Sequence, residues 1–413
     1  MTVPHNPPTG GTTPARALVV SSAALFTDML VHGLAVPVLP RLPAVVGAGS
    51  AATGVLFASY AAAMIVATLF AGRVVDRHGP RTPLLIGLGG LAAATLLFAT
   101  GGPYWLLMVA RLAQGIAGGM SWVAALCLIA ATTPMEKRGQ SMGVALSTIT
   151  LGVLVGPPLA GLLVEHFGTA SPFLFAAAVA IVDGAMRIIL VKESPRVTDD
   201  AAGPLAVLRV PGSFSIVLAV VVGAAVLSGV EPVLPVHLKA SSLTIGLLFG
   251  LAVLASITAN PIVGRFVAAV SPRLFVGGGV VTAATALVVI GVADEMWQTS
   301  AGMVLLGASS ALLLTPSTTL MSQQGSRSVP PTLGGSFALA MGATGVAAWG
   351  LSHGRGLAAL VRDPRSAFMG YVTTVTPGQL CLDVLDFLLT FIPGSTFGRA
   401  GRWAAGAPAS ALA

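Results

Sequence analysis

The chain has 413 residues, of which 55% are hydrophobic and 8% are charged, and its net charge is +7. A soluble domain carries roughly 25% charged residues, and the mean hydropathy here is +0.91, so the composition excludes an ordinary soluble globular protein. The Lys and Arg residues lie in short loops between apolar runs, without the basic face and stacking aromatics that nucleic-acid binding uses. We therefore expect lipid, and not nucleic acid, as the main surroundings of this protein.

Apolar runs of about 18 to 25 residues can cross a hydrocarbon layer of about 30 Å as helices. After a polar cytoplasmic tail of residues 1–16, the sequence predicts twelve such spans, at 17–39, 51–70, 84–101, 104–131, 141–164, 171–190, 213–236, 243–263, 274–293, 299–320, 332–352 and 366–392. The first run is too long for a signal-peptide core, so we interpret it as an uncleaved span. The predicted fold class is an all-α integral membrane protein.

The basic residues are distributed unevenly between the two sides of these spans. With the N-terminus inside, 15 Lys and Arg residues fall in inner segments and 5 in outer segments. Cytoplasmic loops carry such an excess, so both termini are predicted to be cytoplasmic. The two cysteines, Cys127 and Cys381, lie in apolar segments, so the sequence predicts neither a disulfide framework nor a cysteine-based metal site.

The longest inner connection, residues 191–212, separates two six-span halves at 17–190 and 213–392, and a cytoplasmic tail follows at 393–413. Two short matches relate the halves. The sequence PVLP occurs at 37–40 and 232–235, an offset of 195, and GR with PR occurs at 72–81 and 264–273, an offset of 192. Two ordered matches at nearly equal offsets predict a duplicated six-helix unit. Such repeats place the substrate between the halves, near the membrane midplane.

The loop after the second predicted span reads GRVVDRHGPR and contains Gly72, Asp76, Arg77, Gly79 and Arg81. It resembles the signature loop of the major facilitator superfamily, G-x-x-x-D-R-x-G-R-[RK]. The resemblance implies two six-helix bundles around a central cavity, and a gate in which the acid and the bases of this loop latch neighbouring helix ends on the cytoplasmic side. Carboxylates favour helix starts and guanidinium groups favour helix ends, which suits that role. An ordinary basic turn is the alternative.

The fourth predicted span contains Arg111, at the start of the sequence RLAQGIAGG. This segment resembles the family pattern R-x-x-Q-G-x-x-x-G, in which the buried Arg is linked to proton transfer. An Arg within the membrane is costly unless it finds a partner, so we expect a carboxylate or a carbonyl near it. The alternative is that Arg111 only braces the helix ends.

The fifth predicted span contains Gly152, Gly156, Pro157 and Gly161. These residues resemble the G-x-x-x-G-P-x-x-G signature of the antiporter branch, with the second half of the match shifted. Glycines four apart allow helices to approach closely, and a proline bends the helix. The resemblance implies export by antiport rather than uptake, and ordinary membrane packing is the alternative.

Asp28 lies about 11 residues into the first span, roughly 17 Å along a helix and therefore near mid-membrane. His32 follows four residues later on the same face. The span resembles that of the drug:proton antiporters and vesicular monoamine transporters, whose Asp contacts cation or proton, and Glu231 resembles the second-half counterpart. Burial favours the neutral form of a carboxylate, which makes proton exchange feasible at physiological pH. Hydrogen-bonded structural carboxylates and a neutral core histidine are the alternatives.

Several other polar positions have simpler interpretations. Asp183 precedes Arg187 by four residues, so the sequence predicts an ion pair on the helix surface. Trp105, Trp122 and Trp297 are predicted to be interface anchors or packing residues. The chain departs from the monoamine carriers at Thr315-Pro316-Ser317, where they have an acid, and in the segment after residue 353.

Together these features predict a proton-coupled antiporter of the plasma (inner) membrane that exports a hydrophobic small molecule, cations included, such as a drug or secondary metabolite. The predicted coupling residues are Asp28, His32, Arg111 and Glu231. The sequence contains no catalytic cluster and no metal-ligand spacing, so we expect no enzyme activity, no metal and no cofactor besides the proton gradient. Protons, the small-molecule substrate and lipid are the expected partners of a monomer. An uptake symporter and a non-transporting receptor or scaffold are the alternatives.

Overall fold

The computed structural model describes residues 12–48, 50–191, 203–238 and 242–353. Its helices are α1 (Pro14–Ala35), α2 (Pro43–Ala48), α3 (Ser50–His78), α4 (Arg81–Ala99), α5 (Tyr104–Thr132), α6 (Met135–Phe167), α7 (Ser171–Leu190), α8 (Ser213–Leu238), α9 (Ser242–Phe266), α10 (Pro272–Val292), α11 (Met296–Arg327) and α12 (Leu333–His353). Short 3₁₀ helices lie at Leu39–Arg41 and Pro204–Arg209. No strand occurs within the described ranges.

The first eleven predicted spans each coincide with a long helix, which confirms the all-α membrane class. Within the described residues, nine helices are long and apolar enough to cross a membrane, and two shorter apolar segments lie at Ser213–Ala224 and Leu333–Thr344. The chain is thus a multi-pass membrane protein. The twelfth predicted span, 366–392, lies outside the described residues, as do Asp383 and Asp386.

Several helices extend beyond the predicted apolar spans. The second span was predicted to end at residue 70, but α3 continues to His78, because charged residues at a membrane surface do not interrupt a helix. The chain leaves α3 at Gly79, whose φ of 76° lies in the left-handed region that favours glycine. Pro80 follows and cannot continue the helix. The charged end of α3 is therefore helical, and it carries Asp76 toward the start of α12.

The long helices pack as two groups that touch each other. In the first half α1 packs on α5, α6 and α7, and α5 packs on α3 and α4. In the second half α11 packs on α8, α9 and α10. Contacts of α3 with α12 and of α6 with α9 join the halves.

Helix α7 illustrates how the residues distribute between lipid and protein. Ile181, Val182 and Ile189 are 59%, 70% and 75% exposed, whereas Asp183 and Arg187 are buried. Because lipid tails are as apolar as these side chains, the helix turns its polar face inward. The prediction of a surface ion pair is therefore half wrong: Asp183 and Arg187 do pair, but inside the bundle.

Candidate functional site

Asp28 stands at the centre of the site. It lies in the middle of α1 and is 1% exposed. Its Oδ2 accepts hydrogen bonds from the Tyr60 hydroxyl at 3.2 Å and from Trp122 Nε1 at 2.7 Å. Its Oδ1 has no hydrogen-bond partner among the described residues. One carboxylate oxygen is therefore held by neutral donors, and the other is available for a proton or a cationic group.

Close helix packing brings the two donors to Asp28. A Cβ on Gly115 would lie 2.3 Å from the Tyr60 carbonyl oxygen, and one on Gly119 would lie 2.9 Å from the Met64 carbonyl oxygen, so α5 lies directly against α3. A Cβ on Gly118 would lie 3.0 Å from Asp28 Oδ1. The glycines that follow Arg111 in the sequence thus make room for the Asp28 carboxylate.

His32 lies one turn after Asp28 on α1 and is partly buried. Its ring centroid is 5.0 Å from that of Tyr60, at an interplanar angle of 43°. Its Nδ1 is buried and has no hydrogen-bond partner in the described part of the chain. The structure therefore places His32 beside the Asp28 group, although no hydrogen bond between the two is seen.

Arg111 is fully buried in α5. Its Nη1 donates to Gln114 Oε1 at 3.1 Å, and Gln114 Nε2 donates to Thr95 Oγ1 at 3.1 Å. The guanidinium carbon lies 5.4 Å from the ring centroid of Phe57 and 5.5 Å from those of Tyr60 and Phe98. Aromatic faces attract a cation, more strongly where water is excluded.

We expected a carboxylate or a carbonyl near Arg111, and the structure shows a hydrogen bond to the side-chain carbonyl of Gln114 and an electrostatic interaction with the Asp28 carboxylate. Among the described residues Asp183 and Arg187 form an ion pair, whereas Arg111 forms none. Its Nε and Nη2 also lack hydrogen-bond partners there. An amide oxygen and three aromatic rings thus contact the guanidinium, and the Asp28 carboxylate acts on it without an ion pair.

The Asp183–Arg187 pair ties α7 to α4, since Arg187 Nη1 also donates to the Leu84 carbonyl oxygen at 2.9 Å. Both side chains are less than 5% exposed, at 4% and 1% respectively. This pair therefore stabilises the packing of α7 on α4.

The second half contributes neutral polar groups. Thr315 Oγ1 donates to Asn260 Oδ1 at 2.9 Å, Asn260 Nδ2 donates to Ser256 Oγ at 3.3 Å, and Ser256 Oγ lies 3.2 Å from Ser310 Oγ. All four residues are buried. Glu231 belongs to α8, but its side chain lies outside the described residues.

The predicted gating loop meets α12. Asp76 is fully buried and accepts hydrogen bonds from the backbone amides of Gly334 at 2.8 Å and Gly335 at 3.4 Å, and from the Thr332 hydroxyl. These donors lie at the N-terminus of α12, where a carboxylate is favoured. Arg77 is exposed and forms no ion pair with a described residue.

Two pairs of glycines mark the crossings between the halves. A Cβ on Gly72 would lie 2.7 Å from the Gly334 carbonyl oxygen, and one on Gly139 would lie 2.5 Å from that of Gly264. Gly264 is the residue that the sequence repeat equates with Gly72. The same repeat position therefore takes part in both crossings, α3 on α12 and α9 on α6. Arg81 lies beside this end, partly buried, and its Nε has no described hydrogen-bond partner.

The antiporter-like residues of α6 pack on α1. A Cβ on Gly156 would lie 2.6 Å from Gly33 Cα, and one on Gly152 would lie 2.8 Å from the Phe26 carbonyl oxygen. Pro157 lies against Gly33 as well. Gly161 does not share this role, since a Cβ there would meet no atom within 4 Å. The first part of the motif thus positions the helix that carries Asp28.

The sequence analysis missed two residues of the site. Tyr60 was not considered, and Trp122 was predicted to be an anchor or packing residue, yet both donate to Asp28 and are 6% and 8% exposed. One signal was available. Trp122 follows Arg111 by eleven residues, about three helical turns at 3.6 residues per turn, so both lie on one face of α5.

Comparisons with known proteins agree with this architecture. The family model described as Major Facilitator Superfamily matches residues 22–352. The chromaffin granule amine transporter of Rattus norvegicus is 38% identical over 190 residues, covering 44% of this chain and 36% of that protein. The vesicular acetylcholine transporter of Drosophila melanogaster is 32% identical over 203 residues, covering 42% and 35%. The matches thus span about a third of the length of these relatives.

A solved structure resembles the chain over nearly its whole length. The crystal structure of the human organic anion transporter TETRAN aligns with a TM-score of 0.74 and 20% sequence identity, covering 90% of this chain and 98% of that one. A likeness at this identity shows the fold alone. It confirms the major-facilitator-like architecture that the sequence predicted.

Proposed function

Because the chain belongs to the major facilitator superfamily, we propose that it is a proton-coupled antiporter that exports a hydrophobic small molecule. Members of this superfamily are membrane transporters, in accord with the expectation that the chain is not an enzyme. The observation that carries the proposal is Asp28, a buried mid-helix carboxylate whose Oδ1 has no partner among the described residues. Such a group in a membrane interior marks a proton or substrate path.

In this proposal Asp28 exchanges a proton for the substrate. Arg111 is the coupling residue, since its buried charge lies within the same group of side chains. His32 contributes to proton movement, and Glu231 serves as a second acidic site in the other half. No cofactor is required, because the proton gradient supplies the free energy.

The proposed substrate is a hydrophobic molecule that carries a positive charge, such as a drug or secondary metabolite. The Asp28 carboxylate, whose Oδ1 has no partner among the described residues, favours a cation on the first-half side. The buried groups described in the second half, Ser256, Asn260, Ser310 and Thr315, are neutral. The amine and acetylcholine transporters among the relatives support a cationic class, without identifying the compound.

The gate of the proposed cycle is the contact between α3 and α12. Gly72, Asp76, Gly79 and Arg81 lie at this end, and the bond from Gly334 to Asp76 crosses between the halves. We propose that it stabilises the conformer closed on the cytoplasmic side, and that rocking of the halves about the central cavity breaks it. Residues 17–190 and 213–392 would move as the two bundles, joined by residues 191–212.

The test is transport in everted plasma-membrane vesicles, with both termini of the protein expected on the cytoplasmic side. Ethidium, tetraphenylphosphonium, dopamine and acetylcholine would be offered with and without an imposed proton gradient. We expect gradient-dependent accumulation of at least one cation, lost in the Asp28→Asn variant. Movement of the cation in the same direction as the protons would instead identify an uptake symporter. Binding of the cation without flux would identify a receptor.

A further inference from the structure

Tyr60 of α3 lies between the two charged groups of the site. Its hydroxyl donates to Asp28 Oδ2 at 3.2 Å, and its ring centroid lies 5.5 Å from the guanidinium carbon of Arg111. Its ring also lies beside that of His32. Tyr60 thus contacts three of the four residues predicted for proton and substrate coupling.

Arg111 acts on Asp28 electrostatically, but no hydrogen bond or ion pair between the two is seen. Among the described residues it forms no ion pair, and its guanidinium donates a hydrogen bond to Gln114. Phe57 and Phe98 also lie against the guanidinium, but neither carries a group that hydrogen-bonds. Tyr60 is the ring of the three that has a hydroxyl, and that hydroxyl is on Asp28.

The two oxygens of Asp28 are not equivalent. Oδ2 accepts from both Tyr60 and Trp122, whereas Oδ1 has no partner in the described chain. Any group that approaches Oδ1 therefore finds the rest of the carboxylate already oriented. A hydrogen bond to an ionised acceptor is stronger than one to a neutral acceptor, so protonation at Oδ1 weakens the hold of Tyr60 on Oδ2.

We propose that Tyr60 is the positioning residue that couples Arg111 to Asp28, and that Asp28 Oδ1 is the atom that takes up the proton or the cationic group. The ring of Tyr60 holds the guanidinium, and its hydroxyl holds Oδ2. A cation over the ring polarises it and strengthens the hydroxyl as a donor. When Asp28 is neutralised, this hydroxyl is released and the ring can move with Arg111. The inference rests on the proposed role of Asp28 and extends it by naming Tyr60 as the residue that links Arg111 to Asp28.

A ligand-independent experiment tests this coupling, because Trp122 is a built-in reporter on Oδ2. The fluorescence of purified full-length protein is titrated from about pH 5 to pH 9, and the signal of the Trp122→Phe variant is subtracted. The charged or titratable groups that face Asp28 are His32, Tyr60, Arg111 and Arg187. The Asp28→Asn variant identifies the transition as that of Asp28, and a transition that persists in it overturns the proposed function together with this inference.

The inference itself is tested by a double-mutant cycle on that transition. We expect Arg111→Gln to move its midpoint by about half a pH unit or more, a shift at the lower end of what cation–π contacts contribute. In the Tyr60→Phe background, which keeps the ring and loses the hydroxyl, the same change should move the midpoint clearly less, because only the direct charge interaction between Arg111 and Asp28 then remains. The matched control is Phe57→Leu, which also alters a ring on Arg111 but has no hydroxyl on Asp28, so the shift should persist there.

A transition that belongs to Asp28 and moves equally with Arg111→Gln in both the wild type and Tyr60→Phe overturns the coupling role of Tyr60. That result leaves the proposed function standing.

A second readout addresses transport directly. With tetraphenylphosphonium and ethidium as probes, Tyr60→Phe should alter the pH profile of gradient-driven flux while binding of the probe to purified protein changes less than about threefold. An unchanged pH profile contradicts the inference.

Discussion

The backbone amide of Gly334 in α12 donates a 2.8 Å hydrogen bond to Asp76 Oδ1 in α3, across 258 residues of sequence. A negative charge at a helix N-terminus contributes about 0.3–1 kcal/mol, and up to ~2 kcal/mol when partly buried. The contact joins the two halves at one end of the molecule. Its strength therefore biases the equilibrium between the open and closed conformers of that end.

The first prediction concerns this gate. The Asp76→Asn variant keeps a hydrogen-bond acceptor but loses the charge, so the population ratio of closed to open conformer should fall by up to about thirtyfold. We expect sharply reduced transport at near wild-type expression, measured by vesicle flux and quantitative blotting. Asp294→Asn is the matched control, since it makes the same change at an exposed position outside the gate. Full transport by Asp76→Asn at normal expression would refute the gating role.

The second prediction separates the two parts of the antiporter-like motif. The Gly156→Ala variant places a Cβ 2.6 Å from Gly33 Cα, and overpacking of this kind costs about 1–3 kcal/mol. The Gly161→Ala variant places its Cβ where no atom lies within 4 Å. We expect a lower unfolding midpoint in detergent for the first and an unchanged midpoint for the second. Equal midpoints would show that α1 and α6 do not pack as described.

Sequence reasoning could identify the helices and the charged residues of the site, for reasons that differ. A run such as 104–131 is recognisable because membrane spans need a minimum apolar length, and Asp28 and Arg111 are recognisable because charges there are rare. The role of Trp122 was missed because aromatic residues have many uses in membranes, and its partner depends on how α5 packs on α1.

The sequence analysis also failed to predict that Asp183 is buried, and the reason is related. A spacing of four residues predicts a pair on one helix face, but which face meets lipid depends on the neighbouring helices. The C-terminal end of α3 and the N-terminal end of α6 were likewise missed. The length of an apolar run does not detect the charged turns that extend a helix past the membrane. Only the assembled bundle supplies that information.

The third prediction concerns the buried ion pair. The Asp183→Asn variant leaves Arg187 without its counter-ion inside the bundle, a change that typically costs about 3–5 kcal/mol. Replacing both members by apolar residues, as in Asp183→Leu with Arg187→Met, should restore much of that loss, because neither charge then remains buried. Thermal unfolding in detergent provides the measurement. A double variant less stable than Asp183→Asn would show that the pair is needed for more than mutual neutralisation.

The fourth prediction concerns topology and rests on the 15 to 5 distribution of basic residues. Cysteines introduced at the N-terminus and at Thr198 should react with a membrane-impermeant thiol reagent in everted vesicles and be protected in intact cells. Of the two native cysteines, Cys127 is buried and gives a low background, and Cys381 is replaced by serine in all variants. Labelling of either position in intact cells would contradict the twelve-span arrangement.

The last prediction concerns proton coupling at Asp28. If a proton and the substrate compete for Oδ1, adding a transported compound to purified protein in weakly buffered detergent should release protons into solution. The Asp28→Asn variant cannot ionise at this position, so it should lose both this release and gradient-driven efflux, even if it still binds a neutral compound. Asparagine can still accept from Tyr60 and Trp122, which keeps the hydrogen bonds to the other oxygen and favours folding. The Glu231→Gln variant is the control for the second half. Wild-type proton release and efflux from Asp28→Asn would place the coupling site elsewhere, with Glu231 the next position to test.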